Sequence, residues 1–187
     1  MSNIFYCSLH GSEQWTPRYA VEILLPHIEH LKDKVIWLPF DTVDSWFYRI
    51  LVENGYRVVC SSILTGQDFF EYEPEHWDVI LSNPPYKGKV EFIKRADSFG
   101  KPWCFFIPVT ILSDGVLNRL FGDMSELTML IPDRRTRFKN QDNPDIKNSQ
   151  PTFKAAYIGR NFFKRQIIGA SIPSNVNLGD FNSSIFN

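Results

Sequence analysis

The chain has 187 residues, 43% of them apolar and 15% aromatic, with 20 Lys or Arg against 21 Asp or Glu for a net charge of −1. That length suits one domain with a substantial core, and that composition excludes a disordered main body. Cys7, Cys60 and Cys104 are too few and too widely spaced for a disulfide framework or a zinc site, so a reducing, cytoplasmic setting is expected.

No apolar run approaches membrane-spanning length, and the opening MSNIFYCSLHGSEQW lacks the charged start and apolar centre of a secretory leader; no membrane association is expected. The near-zero charge hides an asymmetry. Residues 132–165 carry nine Lys or Arg against three Asp, a net of +6, which leaves −7 for the rest. A basic stretch on a neutral protein suits a local phosphate-facing surface.

In chain order, residues 16–31 place Ala20, Ile23, Leu24, Ile28 and Leu31 at helical spacing, with Thr16 as N-cap, Pro17 at the first helical position and Pro26 as a kink or break. Residues 35–40 read as a buried strand. Residues 44–54 read as a helix burying Trp46, Phe47, Ile50 and Leu51 and stopped by Gly55. Strands follow at 57–61 and from Asp78, then a helix at 89–98, an apolar strand at 103–109, a helix at 114–121, and strands at 127–131 and 153–159.

Alternating strands and helices predict a three-layer, Rossmann-like α/β fold with a mostly parallel sheet. No helix separates the last two strands, so the final strand is expected to run antiparallel. Only fifteen residues separate Ser62 from Asp78, too few for the usual helix, strand and helix, so the sheet is expected to be trimmed around its third strand. Residues 1–169 are read as one domain and the Ser/Asn-rich residues 170–187 as a poorly packed tail.

Chemistry concentrates where D-V-I-L-S runs into Asn83-Pro84-Pro85-Tyr86. Two prolines cannot continue a ladder, so the strand must end in a rigid corner. Ligands of open parallel sheets bind beyond the carboxyl ends of the strands, where Pro39-Phe40-Asp41, Ser61-Ser62 and this corner all fall. The bland readings are a plain turn for the corner, helix-capping carboxylates for Asp41 and Asp44, and a solvated loop for Arg134-Arg135-Thr136-Arg137-Phe138-Lys139. His27 and His30 sit at i, i+3 without acidic or Cys companions and are read as surface residues; no metal site is expected.

The corner, together with Trp15-Thr16-Pro17 before the first helix and Gly66-Gln67-Asp68-Phe69-Phe70 after the third loop, resembles the class I, S-adenosylmethionine-dependent methyltransferases of the adenine amino (N6) type, with NPPY as their catalytic signature. The resemblance covers roughly residues 14–109. A loop without glycine, Pro39-Phe40-Asp41-Thr42, is similar to that of small phage and prophage members. The resemblance implies Asn83, Pro84, Pro85 and Tyr86 as catalytic residues. It further implies S-adenosylmethionine as cofactor, held by Thr16, Pro17, Pro39, Phe40, Asp41, Ser45, Ser61, Asp68, Phe69 and Asn83.

The chemical logic holds apart from the family. An adenine amine is a weak nucleophile because its lone pair is delocalised. It attacks a methyl donor if Asn83 Oδ1 and the Pro84 carbonyl accept its hydrogens while Tyr86 stacks on the base. The basic run, with Lys87, Arg134, Arg135, Arg137 and Lys139, is the expected nucleic-acid contact, DNA ahead of RNA. Little chain remains for target recognition, so a homodimer partner or a recognition subunit is the expected supplement. Two other readings stay open: a catalytically inactive methyltransferase-like binding protein, and a protein glutamine methyltransferase.

Overall fold

The computed structural model describes residues 14–113, 115–140 and 154–175. Its centre is a seven-stranded sheet in the order β3-β2-β4-β5-β8-β6-β9. The strands are β2 (Val35–Leu38), β3 (Arg57–Cys60), β4 (Val79–Ser82), β5 (Trp103–Pro108), β6 (Leu127–Pro132), β8 (Ala155–Arg160) and β9 (Ile167–Ala170). β8 pairs antiparallel with both β5 and β6, while every other pairing is parallel. A separate two-residue ladder joins β1 (Gln14–Trp15) to β7 (Lys139–Asn140).

Alternation along each strand fills two apolar layers. Ile36, Leu38, Val79, Leu81, Cys104 and Phe106 face one side, where α1 (Arg18–Glu22) and α2 (Trp46–Glu53) bury Ala20, Val21, Phe47, Ile50 and Leu51. Trp37, Ile80, Trp103, Phe105 and Ile107 face the other, where α3 (Lys89–Ser98) and α4 (Val116–Phe121) bury Phe92, Ile93, Ala96 and Leu117. This is the expected Rossmann-like three-layer arrangement, and strands buried on both faces are why the sequence showed continuous apolar runs rather than alternation.

The expected trimming is present. Between β3 and β4 lie a single 3-10 turn, Ile63–Thr65, and irregular chain, which leaves β3 as the edge of the sheet among the described residues. The first predicted helix is broken more finely than Pro26 alone implied: α1 ends at Glu22, and two 3-10 turns, Leu25–His27 and Glu29–Leu31, follow. Its N-cap is Pro17, without a side-chain cap, so Thr16 does not play the capping role expected of it.

Strand β9 was not predicted. Its short I-I-G-A run carries little signal, and it forms because β6 offers a parallel edge. The expected boundary after residue 169 therefore cuts a strand. Ala170 closes β9, and buried Ile172 donates its N–H to Asp133 Oδ1 at 3.1 Å. Residues 176–187, Asp114, and residues 141–153 of the long basic connection lie outside the described residues. Among the described residues, no helix is long and apolar enough to cross a membrane.

The backbone of β8 comes close to β5 at Gly159. Gly159 pairs with Cys104, and a Cβ there would sit 2.0 Å from the Trp103 carbonyl oxygen and 2.7 Å from Cys104 Cα. The next residue, Arg160, clamps the same end of the sheet. Its Nη1 donates to both Asp97 carboxylate oxygens at 2.9 and 3.1 Å, and its Nε donates to Glu126 at 2.7 Å. Gly159→Ala should lower stability by about 3 kcal/mol or more, because the blocking atoms are backbone. Gly169→Ala, with nothing within 4 Å of the added carbon, is the control and should stay within about 0.5 kcal/mol of the parent in urea denaturation.

Candidate active site

Three loops leave the carboxyl ends of β2, β3 and β4 side by side, and Asp41 sits where they meet. Its N–H donates to the Ser61 carbonyl at 3.2 Å, which extends the β2–β3 ladder by one rung. Its carboxylate accepts from Ser82 Oγ at 2.5 Å, and from the hydroxyl of Ser45. Ser45 also caps α2, its oxygen accepting from the Tyr48 N–H at 3.1 Å. No basic side chain pairs with Asp41 among the described residues. Burial pushes its pKa up to about 6, against the lowering effect of the two serine hydrogen bonds.

The corner follows directly from Ser82. Pro84 and Pro85 are buried, and Asn83 and Tyr86 are half-buried. Asn83 Nδ2 donates to Thr16 Oγ1 at 3.0 Å, so the Thr16 hydroxyl, unused as a helix cap, orients the amide of the corner. With Nδ2 directed at Thr16, Oδ1 is the acceptor end of the amide. The chain then turns at Gly88, whose φ of 86° suits glycine, and enters α3.

Tyr86 packs on the α1/α2 side of the sheet. Its ring meets Phe138 edge-on at 5.8 Å, and Phe138 in turn lies 5.6 Å from Phe106, which stacks on Tyr157 at 4.3 Å. Burial raises the Tyr86 phenol well above its ordinary range. Tyr157 is buried and donates to the Ala20 carbonyl at 2.6 Å.

The remaining candidates are placed differently from their expected roles. Ser61 is buried and its hydroxyl accepts from Trp37 Nε1 at 2.9 Å, while Ser62 Oγ accepts from the Leu64 N–H at 3.2 Å and caps the following turn. Asp68 Oδ1 accepts from the Phe70 N–H at 2.9 Å. Phe69 is 1% exposed, so its ring belongs to the core and offers no face to a ligand; the neighbouring Phe70 is half-buried and stacks on Phe92 at 5.3 Å. Pro39 is buried, and half-buried Phe40 wedges its ring among Phe69, Phe92 and Phe105 at 5.0, 4.8 and 5.9 Å. Pro17 is buried at the start of α1.

The basic run crosses the Tyr86 side of the site. Arg137 donates its backbone N–H to Tyr19 Oη at 2.9 Å, and β7 pairs with the residues just before Thr16. Arg134, whose Nε lies 3.7 Å from Asp133, donates to the Ile172 carbonyl. Arg135 and Lys87 are exposed and Arg137 is half-buried. Among the described residues, no group of three or more His, Cys, Asp or Glu could hold a metal ion.

The structure thus forms two hydrogen-bonded sets, Asp41 with Ser45 and Ser82, and Asn83 with Thr16, joined through the Ser82–Asn83 peptide; Ser61 reaches Asp41 through its backbone carbonyl, and Phe69 lies in the core. Sequence reasoning overlooked Ser82 and Tyr19, and named Phe138 only as the aromatic of the basic run, not as a neighbour of Tyr86. Ser82 had a signal, as the one polar residue of an apolar strand. Tyr19 had none, and neither did the contact of Phe138 with Tyr86, because these contacts span long sequence separations.

No family model matches the chain, and no curated protein matches it. Among solved structures it is similar to a dimethyladenosine transferase from Plasmodium falciparum, at 11% identity and a TM-score of 0.48, over 79% of this chain and 62% of that one. This chain spans less than two thirds of that protein's length, and a likeness this distant says nothing of activity.

Because the folded state raises the Asp41 pKa from 3.8 to about 6, the protein prefers this group protonated. Stability contributed by the proton is present at low pH and is lost as pH rises from about 4 to about 6. Asp41→Asn should therefore be more stable than the parent at pH 7.5, by on the order of 1–3 kcal/mol, with the gap closing toward pH 4. Chemical denaturation at the two pH values measures this, and an equal difference at both would refute the assignment.

Proposed function

We propose that the chain is an S-adenosylmethionine-dependent methyltransferase acting on the exocyclic amine of adenine in nucleic acid, DNA ahead of RNA. The observation that carries this reading is Asp41: a desolvated carboxylate at the carboxyl edge of the sheet, one hydrogen bond from the residue before Asn83 and without a cationic partner among the described residues. Such a group is stabilised by a ligand that brings its own positive charge.

The residues present fit the amino end of S-adenosylmethionine, with Asp41 accepting from its ammonium. At the ribose end, Ser61 and Ser62 offer hydroxyl oxygens already engaged with Trp37 and Leu64, a weaker grip than a carboxylate. Half-buried Phe70, rather than Phe69, has ring surface to offer the adenine. Bound there, the cofactor supplies an electrophilic methyl group on its sulfonium.

The chain supplies alignment and two acceptors. Asn83 Oδ1 and the Pro84 carbonyl would draw the hydrogens of the amine, so that the nitrogen lone pair turns toward the methyl carbon; the N–C bond would form as the methyl–sulfur bond breaks with its pair kept by sulfur, and the acidic cationic amine would then give its proton to water, without a strong base. Pro84 and Pro85 fix the direction of these acceptors before substrate arrives. Tyr86 would stack on the base, which must be unpaired or flipped out of a duplex. Arg135, Arg137, Lys139 and Lys87 would hold phosphates, orienting the strand without specifying its sequence. A homodimer partner or recognition subunit would supply sequence choice.

One observation favours the second reading, a binding protein without catalysis: Phe40 fills the side of the first loop with a packed aromatic ring instead of exposing backbone. Calorimetry with S-adenosylmethionine separates the two. The enzyme should bind at micromolar concentration, more weakly as pH falls through about 6, with proton release at pH 6 seen as a dependence on buffer ionisation heat. Absence of heat at millimolar cofactor sinks the enzyme reading. Asn83→Ala should cut tritiated-methyl transfer to single-stranded or duplex DNA by about 10²–10³-fold while leaving cofactor affinity within about twofold. Parallel loss of both would remove Asn83 from its assigned role.

A further inference from the structure

Asp41 and Asn83 belong to different loops, one expected to touch the cofactor and the other the substrate, and a single hydroxyl connects them. Ser82 is the polar end of an otherwise apolar strand and is fully buried. A hydroxyl in that position must find a partner or carry a desolvation penalty. Its partner lies 41 residues away: Ser82 Oγ donates to Asp41 Oδ2 at 2.5 Å. The next residue, Asn83, donates to Thr16 at 3.0 Å. Two consecutive residues thus lock the loop after β2 and the segment before α1 onto the end of β4.

We propose that Ser82 is a positioning residue for this site: its hydroxyl sets the rotation of the Asp41 carboxylate and so ties the group that would face a cationic ligand to the corner that carries Asn83. The inference rests on the reading of Asp41 as the ligand's carboxylate. A serine hydroxyl has one proton to donate, and here it is spent on Asp41, which leaves the carboxylate's other lone pairs for Ser45 and for an incoming ammonium. A hydrogen bond donated to a carboxylate is stronger than one to a neutral oxygen, and losing it shifts ionisation toward the protonated form.

The groups around Asp41 give no substitute. Ser45 at the start of α2 already divides its hydroxyl between Asp41 and the Tyr48 N–H. Cys60 on β3 is held neutral by burial and by the Asp41 charge itself. Tyr157 on β8 is neutral for the same two reasons among others, and its hydroxyl proton goes to the Ala20 carbonyl.

The test begins in ligand-free protein, where the Asp41 carboxyl is titrated by ¹³C NMR in the parent, Ser82→Ala and Ser82→Thr. Ser82→Ala should raise the midpoint by about one pH unit, and Ser82→Thr, which keeps the hydroxyl, should restore it. S-adenosylmethionine affinity of Ser82→Ala should fall about threefold at pH 6.5, approaching tenfold at pH 5, and hardly at all at pH 8.5, where the carboxylate is ionised regardless. An unchanged midpoint, or an affinity loss equal across these pH values, overturns the proposal. Should Ser82→Ala fail to fold, Ser82→Cys keeps the shape with a weaker donor and must move the midpoint the same way. If the parent protein binds no S-adenosylmethionine, the functional reading fails, while the midpoint comparison still decides the role of Ser82.

Discussion

A strand buried on both faces has nowhere to end except at the rim of the sheet, and strands that run parallel all end at the same rim. That constraint organises this protein. β2, β3, β4 and β5 have apolar residues on both sides, so their polar loops gather beyond the Leu38, Cys60, Ser82 and Pro108 ends. The corner and the acidic loop meet because β2 and β4 are adjacent, with Ile36 opposite Val79 and Trp37 opposite Ile80. Reversed β8 and the added β9 widen the sheet on the side away from this crevice.

At the rim the polar groups are held mostly by one another. Trp37 holds Ser61, Ser62 and Asp68 cap their own turns, Thr16 holds Asn83, and Ser45 and Ser82 both serve Asp41. Such mutual satisfaction makes a stiff site, because each buried partner left alone would carry a desolvation cost of about 1–3 kcal/mol. Asp41 is the exception. Its hydrogen bonds lower its pKa, yet burial outweighs them. Ionisable groups perturbed in this way concentrate at functional sites, which is why the proposed function starts from Asp41.

The rings divide between the two sides of the sheet. Phe40, Phe69, Phe70 and Phe92 form one cluster beside α3, and Tyr86, Phe106, Phe138 and Tyr157 form another beneath the basic connection. The cation-rich chain from Asp133 is pinned to Ile172 on one side and to Tyr19 on the other, so its approach to Tyr86 is built in by contacts distant in sequence.

Much of this was legible in the chain alone. Apolar runs of four to six residues, the proline pair at 84–85 and the short interval between Ser62 and Asp78 determined the class of fold, the place of the corner and the missing strand, because local sterics and burial decide them. The chain alone could not give β9, which of Phe69 and Phe70 keeps an open ring, the use of Thr16 by Asn83 or the bond from Ser82 to Asp41. Each of these depends on which surface arrives from tens of residues away, and no local spacing encodes that. Only the packed sheet, by setting β2 against β4 and laying the basic connection over Tyr19, decided which hydroxyl meets which carboxylate.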